Sequence, residues 1–349
     1  MKQRRCGTSD LKLSTLGLGC WAFGGGAYWG EQSQQDVQEV VDRAFDLGIN
    51  YFDTAEVYND GESEKSLGLA LKGKRDKAII GTKIPPSKLY PADIRKHCDE
   101  SLKRLQTDYI DLYMVHWPIN EQSLKHYTHD ESILTQSPRN QEAFEMLAAL
   151  QKEGKIRYIG ISNHGVKQME VVRKTGVSVV ANELAYNLFS RGIEAEILPY
   201  CEEHGMGIIG YSPLLQGLLS GKYDAIEQMK PSLVRTRHYH RSRAADSRHG
   251  EEGAEAEMME ALAGLRELAQ ELGVTMTVLS LAWAIANPAI TSTIVGSRNL
   301  AQLELNVEAA SYRLSEDVIH RMNELSEPVL QKLGNNPDYF ENRNRSRVE

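Results

Sequence analysis

The sequence predicts an α/β fold, a (β/α)8 TIM barrel with an N-terminal β-hairpin and long loops at the C-terminal face. Three observations carry this. A short apolar run, a loop and an amphipathic stretch alternate eight times along the chain, and strict alternation of strand and helix implies a parallel sheet. Eight such units favour closure into a barrel over an open, doubly wound sheet. No shift in composition marks a linker, so residues 1–349 are expected to form one barrel domain, a size that a single α/β barrel reaches.

Residues 1–14 read as the N-terminal hairpin, turning at Gly7-Thr8-Ser9-Asp10. The first barrel strand is Thr15-Leu16-Gly17-Leu18-Gly19. Its helix opens on Ser33 and Asp36, carries Val37, Val40, Val41, Ala44 and Phe45 on one face, and ends at Gly48. Further strands are expected at 49–53, 78–82, 110–115, 156–161, 178–183, 207–211 and 290–295. They are short and β-branched or aliphatic, as strands buried on both faces should be. Helical patterns lie near 63–72, 91–105, 141–153, 166–174, 194–204, 254–272 and 275–287, the last two both before the final strand. Two connections, 117–140 and 213–253, are too long to be mere links. Both follow strands, on the face where barrel enzymes keep their active sites, and long loops of this kind are usually functional or mobile. The tail, 327–349, has no clear helical period and either folds over the barrel mouth or hangs loose.

Composition narrows the function. An apolar content of 41% suffices for a large core, and a formal charge of −8 argues against a nucleic-acid partner. Cys6, Cys20, Cys98 and Cys201 are far apart, which fits free thiols in a reducing cytoplasm and excludes the usual zinc spacings. No metal site is expected. The Met1–Arg5 start has no apolar run behind it, so no signal peptide is expected. The longest apolar run, 278–286, is too short to span a bilayer, so no membrane partner is expected either.

Chemistry points to the strand ends. Asp53 closes the second barrel strand, Lys83 the third and His116 the fourth, and Tyr58 follows just beyond the second. Singly, each has a structural reading. Asp53 with Glu56 resembles a capping box, a strand-end lysine snorkels to water, and a histidine before Trp-Pro sits in a loop. In a barrel, however, the strand ends converge on one mouth. Four polar groups converging from three adjacent strands suit proton transfer to a carbonyl. A tyrosine titrates near ~10, too high for neutral pH, and an ammonium held by a carboxylate should lower it. A neutral histidine could hold the carbonyl oxygen. Nothing in the set is a strong nucleophile, so a hydride would come from a cofactor.

Two cofactor signals compete. Gly17-Leu18-Gly19-Cys20-Trp21-Ala22 matches a dinucleotide fingerprint formally, but Phe23-Gly24-Gly25-Gly26 follows where a helix should open. The better candidate is Gly296-Ser297-Arg298-Asn299, ahead of a helix carrying Gln302 and Asn306. A helix start beside an arginine suits a phosphate, and simple capping by Ser297 or Asn299 is the alternative.

The chain resembles the aldo-keto reductases from end to end. The matching motifs are Gly-Leu-Gly at 17–19, Phe-Asp-Thr-Ala-Glu-Val-Tyr at 52–58, Gly-Thr-Lys at 81–83 and Val-His-Trp-Pro at 115–118. They continue with Lys-Ile-Arg-Tyr-Ile-Gly-Ile-Ser-Asn at 155–163, Tyr-Ser-Pro-Leu at 211–214, Leu-Ser-Gly-Lys-Tyr at 219–223 and Val-Gly-Ser-Arg at 295–298. The last looks like the bacterial and potassium-channel-β-like branches. The resemblance implies reversible reduction of an aldehyde or ketone, including sugar- or polyol-type substrates, by NADP(H), with NAD as the alternative. Tyr58 would be the general acid, Asp53 and Lys83 would tune it, and His116 would orient the substrate. Ser162 and Asn163 would bind the nicotinamide carboxamide and Tyr211 would stack on its ring. Ser212, Leu214, Gly217 and Lys222 would line the pyrophosphate path. Gly296, Ser297, Arg298, Gln302 and Asn306 would hold the adenosine end. Trp21, Tyr28, Trp29 and Trp117 would wall the substrate pocket or pack as ordinary aromatics.

Two positions depart from the pattern. Glu183 stands where glutamine is usual, and an ionised glutamate cannot donate to a carboxamide oxygen. Leu305 stands where related branches often have glutamate beside the adenine, which leaves Arg298 to select the 2′-phosphate of NADP. The 235–249 loop holds five arginines and three histidines against Asp246. It is either a solvated loop balanced by Glu251, Glu252, Glu255 and Glu257 or an anion clamp over cofactor or substrate. The expected partner is thus a small-molecule carbonyl or alcohol, with homo-oligomerisation open. The competing functions are a nucleotide-sensing regulatory subunit and a barrel enzyme that recycles a retained cofactor in isomerase or lyase chemistry.

Overall fold

The computed structural model describes residues 1–348. An antiparallel hairpin, β1 (Gln3–Arg5) and β2 (Lys12–Ser14), precedes the barrel, with Gln3 opposite Ser14. The barrel strands are β3 (Leu16–Gly19), β4 (Tyr51–Asp53), β5 (Ile79–Ile84), β6 (Ile110–Val115), β7 (Ile156–Ser162), β8 (Ala181–Ala185), β9 (Gly207–Tyr211) and β10 (Ile290–Gly296). They pair in parallel in chain order, and β10 closes on β3. The expected TIM barrel is the observed fold.

The ring of helices is α1 (Gln34–Asp46), α2 (Glu62–Ala70), α3 (Pro91–Leu105), α4 (Glu121–Tyr127), α5 (Glu131–Thr135), α6 (Asn140–Lys152), α7 (Val166–Arg173), α8 (Ile197–Glu203), α9 (Glu255–Leu272), α10 (Met276–Ala286), α11 (Leu300–Ser311) and α12 (Glu316–Leu333). The Ser33 hydroxyl accepts from Asp36 N at 3.0 Å and starts α1 as its sequence requires. Differences from the expected elements lie in the connections. Segment 117–140 contains α4 and α5, and 213–253 has only short 3-10 turns. The sequence places a strand from 178, but β8 begins at Ala181. Glu327–Leu333 were expected to lack helical order, yet they complete α12, which carries Pro328 inside it. Among the described residues, no single helix is long and apolar enough to cross a membrane.

Alternation along the strands sorts the core into two parts. Outward residues such as Phe52, Tyr113 and Ile161 pack under the helices. Inward residues Tyr51, Leu112, Met114, Ala181, Ile209 and Ile294 fill the barrel, and Cys6, Leu11 and Leu13 of the hairpin plug it from below. Gly7 makes the plug possible. At φ +57 it lies against Gly205, where a Cβ would meet the carbonyl oxygen at 2.0 Å. Gly81 plays a similar part inside, because a Cβ there would stand 2.4 Å from the Tyr51 hydroxyl.

Candidate active site

On five strands, two residues past the last interior non-polar position, the next inward side chain is polar. Asp53 follows Tyr51, Lys83 follows Gly81, His116 follows Met114, Glu183 follows Ala181 and Tyr211 follows Ile209. The strand period therefore stacks a polar layer on the apolar filling, at the C-terminal mouth.

Lys83 is the hub of that layer and is fully buried. Its ammonium donates to Asp53 Oδ1 at 2.6 Å, to the Thr54 carbonyl at 3.0 Å and to the Tyr58 hydroxyl at 3.5 Å. Glu183 Oε1 lies 3.2 Å from the same nitrogen. Burial works against the ammonium, but Asp53 and Glu183 outweigh it and hold Lys83 well above its usual range. The capping-box reading of Asp53 and Glu56 does not hold. No α-helix opens there, and Glu56 instead meets His97 Nδ1 at 3.0 Å. Thr54 N donates to Gly81 O, and Thr54 Oγ1 pairs with Ser63 Oγ, so the chain leaves β4 tied to β5 and α2. Asn59 and Asp60 then take left-handed φ of 50 and 54, and the Asn59 amide donates to the carbonyls of Trp21 and Phe23. This turn sets Tyr58 beneath Trp21, ring centres 5.5 Å apart.

One electrostatic expectation is corrected. Lys83 does pull the Tyr58 phenol down, but desolvation is larger, and Asp53 and Glu183 add to it, so the phenol stands above its ordinary value. His116 lies 5.8 Å from the Tyr58 ring, edge on. Burial, with Lys83 adding, pushes its imidazole well below the usual range, and its Nδ1 has no hydrogen-bond partner among the described residues. It is a neutral ring.

The adjoining residues form a chain of hydrogen bonds. Tyr211 OH donates to Asn163 Oδ1 at 2.8 Å, and Asn163 Nδ2 donates to the His116 carbonyl at 3.1 Å and to Ser162 Oγ at 2.9 Å. Asn163 and Ser212, just beyond β7 and β9, adopt left-handed φ of 60 and 53, a strained geometry that clusters at functional sites. Leu214 is half-buried, Gly217 has φ +94 and Lys222 is exposed. A second cluster opens α11. Buried Asn306 donates to Ser297 Oγ at 3.0 Å, and Gln302 Oε1 accepts from Arg298 N at 2.9 Å. Gly296 ends β10 exposed. The Arg298 guanidinium faces the loop after β3, donating to Trp29 O and Gln32 Oε1 at 2.8 Å each and to Glu31 O. Leu305 is half-buried beside them. The rejected 17–22 fingerprint runs from β3 into the turn after it, with no helix before Gln34.

Above the layer, Trp21 stacks on Tyr28 at 4.9 Å and meets Trp29 edge on at 5.2 Å. Trp117 is buried, and Arg347 from the tail covers its face. Tyr127, 6.1 Å from His116, and Arg347 are the mouth residues that sequence reasoning missed. Tyr127 stood in a connection already marked as long, while nothing local in the sequence ties position 347 to position 117.

The tail folds over the mouth. Arg347 pairs bidentately with Asp338 at 2.8 and 2.9 Å, Asn120 donates to Arg347 O at 2.7 Å, and Gly165 N donates to Val348 O. The arginine-rich loop packs against this tail, and its pairs with Glu251 and Glu255 follow the balanced-loop alternative rather than the anion clamp. Arg237 is fully buried on Glu251, Leu333 O and Asn336 O. Arg235 pairs with Asp246, Arg243 with Glu227 and Glu255, Arg248 with Glu341, and Arg241 donates to Gly250 O. No group of three or more His, Cys, Asp or Glu among the described residues could hold a metal ion.

Comparison with known proteins places the chain. A model of the Aldo/keto reductase family matches residues 15–327. An uncharacterized oxidoreductase of Bacillus subtilis, YqkF, is 33% identical over 95% of this chain and 99% of its own. The NADH-specific methylglyoxal reductase of Escherichia coli is 31% identical over 94% of this chain and 99% of its own. Among solved structures, an aldo/keto reductase from Klebsiella pneumoniae in complex with NADP and acetate superimposes with a TM-score of 0.69 at 26% identity, covering 94% of this chain and 96% of that one.

Proposed function

The chain belongs to the aldo/keto reductase family, and we propose that it reduces an aldehyde or ketone reversibly to an alcohol with Tyr58 as the general acid. One observation carries the reading. A tyrosine hydroxyl at the barrel mouth lies 3.5 Å from a buried ammonium that Asp53 holds at 2.6 Å.

The residues present fit a nicotinamide cofactor. Glu183 Oε2 is buried without a partner, the Tyr211 ring is fixed by Asn163, and Arg298 holds carbonyl oxygens that a phosphate could replace. Ser162, Asn163, Glu183 and Tyr211 would hold the nicotinamide, and Ser212, Leu214, Gly217 and Lys222 the pyrophosphate. Gly296, Ser297, Arg298, Gln302 and Asn306 would hold the adenosine end. A nicotinamide cofactor held there would supply the hydride for the carbonyl carbon. Tyr58 delivers the proton to the carbonyl oxygen, and Lys83, held in place by Asp53, stabilises the phenolate left behind. His116, being neutral, donates a hydrogen bond to that oxygen without competing as an acid. We assign NADP(H) on Arg298, since a guanidinium fork suits a phosphate monoester, with NAD as the alternative. A sugar- or polyol-type carbonyl would meet Trp21 and Tyr28 at their ring edges, since Tyr58 and Arg235 lie on the outer faces of their stack. Four buried free cysteines fit a reducing compartment such as the cytoplasm.

Fluorescence titration with NADPH and NADH, followed by a carbonyl panel on the native protein and Tyr58→Phe, tests the assignment. Cofactor binding is expected to survive, and turnover to fall about 10²–10⁴-fold, the usual worth of a general acid. Near-native rates in Tyr58→Phe would remove Tyr58 from the role.

A further inference from the structure

Lys83 has three N–H bonds, and four acceptors surround it. Asp53 Oδ1, Thr54 O and the Tyr58 hydroxyl take hydrogen bonds, and Glu183 Oε1 stands at 3.2 Å as the fourth. Glu183 and Tyr58 therefore compete for one N–H, because the other two go to the shorter contacts. Charge poses the same problem. Asp53, Lys83 and Glu183 are all buried, so two ionised carboxylates against one ammonium would leave a net negative charge away from water, which is strongly unfavourable. Glu183 is the weaker held of the two acids, since its Oε2 has no hydrogen-bond partner among the described residues.

We propose that Glu183 holds a proton at neutral pH, and that this proton leaves the third Lys83 N–H to Tyr58. Glu183 is then a positioning residue that acts on the reaction through Lys83. The first half is independent of any activity, and the second rests on the carbonyl-reduction reading.

The surroundings agree. The groups facing Glu183 are Asp53 and Tyr51 from β4, Tyr58 beyond it, Lys83 from β5 and Tyr211 at the end of β9, with His116 after β6 standing against the Tyr58 ring. Burial raises the three phenols and keeps His116 neutral, so none supplies a second positive charge. Burial also raises both carboxyls, and Glu183 stands well above its usual range. Asp53 makes the short bond to Lys83 at 2.6 Å while Glu183 has only the 3.2 Å contact, which puts the proton on Glu183. Once Glu183 ionises, it draws the third N–H and sets a negative charge beside Tyr58. Both changes make the phenol a weaker acid.

Two measurements test this. Infrared difference spectra of the cofactor-free protein at pH 7, native minus Glu183→Gln, are expected to show a protonated-carboxyl C=O band. Native minus Asp53→Asn should show it too, because one remaining carboxylate pairs with Lys83 and needs no proton. Carbon-13 labelling of the glutamate side chains should shift that band; absence of the band from both differences, or a band that the glutamate label leaves in place, overturns the proposal, whatever the protein's activity. For the second half, the native reduction rate is expected to fall about tenfold per pH unit above an alkaline break, the slope of one proton, and Glu183→Gln to lack that break. Superimposable profiles overturn the link to Tyr58. A protein that binds cofactor and reduces no carbonyl overturns the carbonyl reading, and the infrared band still decides the proton.

Discussion

The guanidinium of Arg347 lies 3.6 Å from the centre of the Trp117 ring, so the last turn of the chain covers the residue after His116. Arg347 and Asp338 are both buried. Burial pushes the Asp338 carboxyl up, but Arg347 outweighs it and holds the group below its usual range. Arg347→Ala would strand that charge, and breaking a buried pair from one side costs about 3–5 kcal/mol. The expected result is faster hydrogen exchange through 335–348 and a lower urea midpoint. Replacing the pair together, Arg347→Met with Asp338→Leu, should recover most of the loss. A single variant with unchanged exchange in the tail would show that the pair does not hold it.

Buried neutral histidines give the protein an acid limit. Burial lowers His116, His164 to about 4 and His238 to about 3. Each takes up a proton near ~6.5 in the unfolded chain but not in the folded one, so stability is full above that pH and falls as pH drops toward the folded values. The slope is up to about 1.4 kcal/mol per pH unit for each histidine, or roughly 3 kcal/mol at pH 4 from His164 alone. His164→Asn should reduce the slope of unfolding free energy against pH, between 6.5 and 4, by close to one proton. An unaltered slope would show that His164 titrates alike in both states.

The barrel and its polar layer were legible because both obey the strand period. Asp53, Lys83 and His116 each end an apolar run, and in a barrel that placement alone makes them neighbours. What the period does not encode is the sum of interactions at a point. An ammonium near Tyr58 promised a lowered phenol, but burial and two carboxyls reverse the sign. Glu183 was visible as a departure, yet its competition with Tyr58 exists only as a pair of distances around Lys83. The arginine-rich loop stayed open between two readings for a related reason. Charge composition cannot tell an arginine aimed at a ligand from Arg237, whose partners lie about a hundred positions away at Leu333 and Asn336.

Arg298 supplies the last prediction. Its guanidinium is already engaged by Trp29 O, Gln32 Oε1 and Glu31 O, and Gln32 Nε2 returns a bond to Arg298 O at 3.0 Å. These acceptors are mostly neutral carbonyls. A 2′-phosphate is a stronger, charged acceptor that can take both arms of the fork, so NADPH should displace the 29–32 loop, whereas NADH has no group to do so. Hydrogen bonds to charged groups contribute about 1.5–3 kcal/mol, and about 1.4 kcal/mol is tenfold in affinity. Arg298→Ala is therefore expected to weaken NADPH about 10–100-fold and to leave NADH within about threefold. The variant should also raise hydrogen exchange across 29–32 in the free protein, since the loop loses its fastener. Arg298→Lys should restore charge without the fork and give only part of the NADPH affinity. Equal weakening of both cofactors would show that Arg298 does not read the 2′-phosphate, and would leave cofactor choice with residues nearer Leu305.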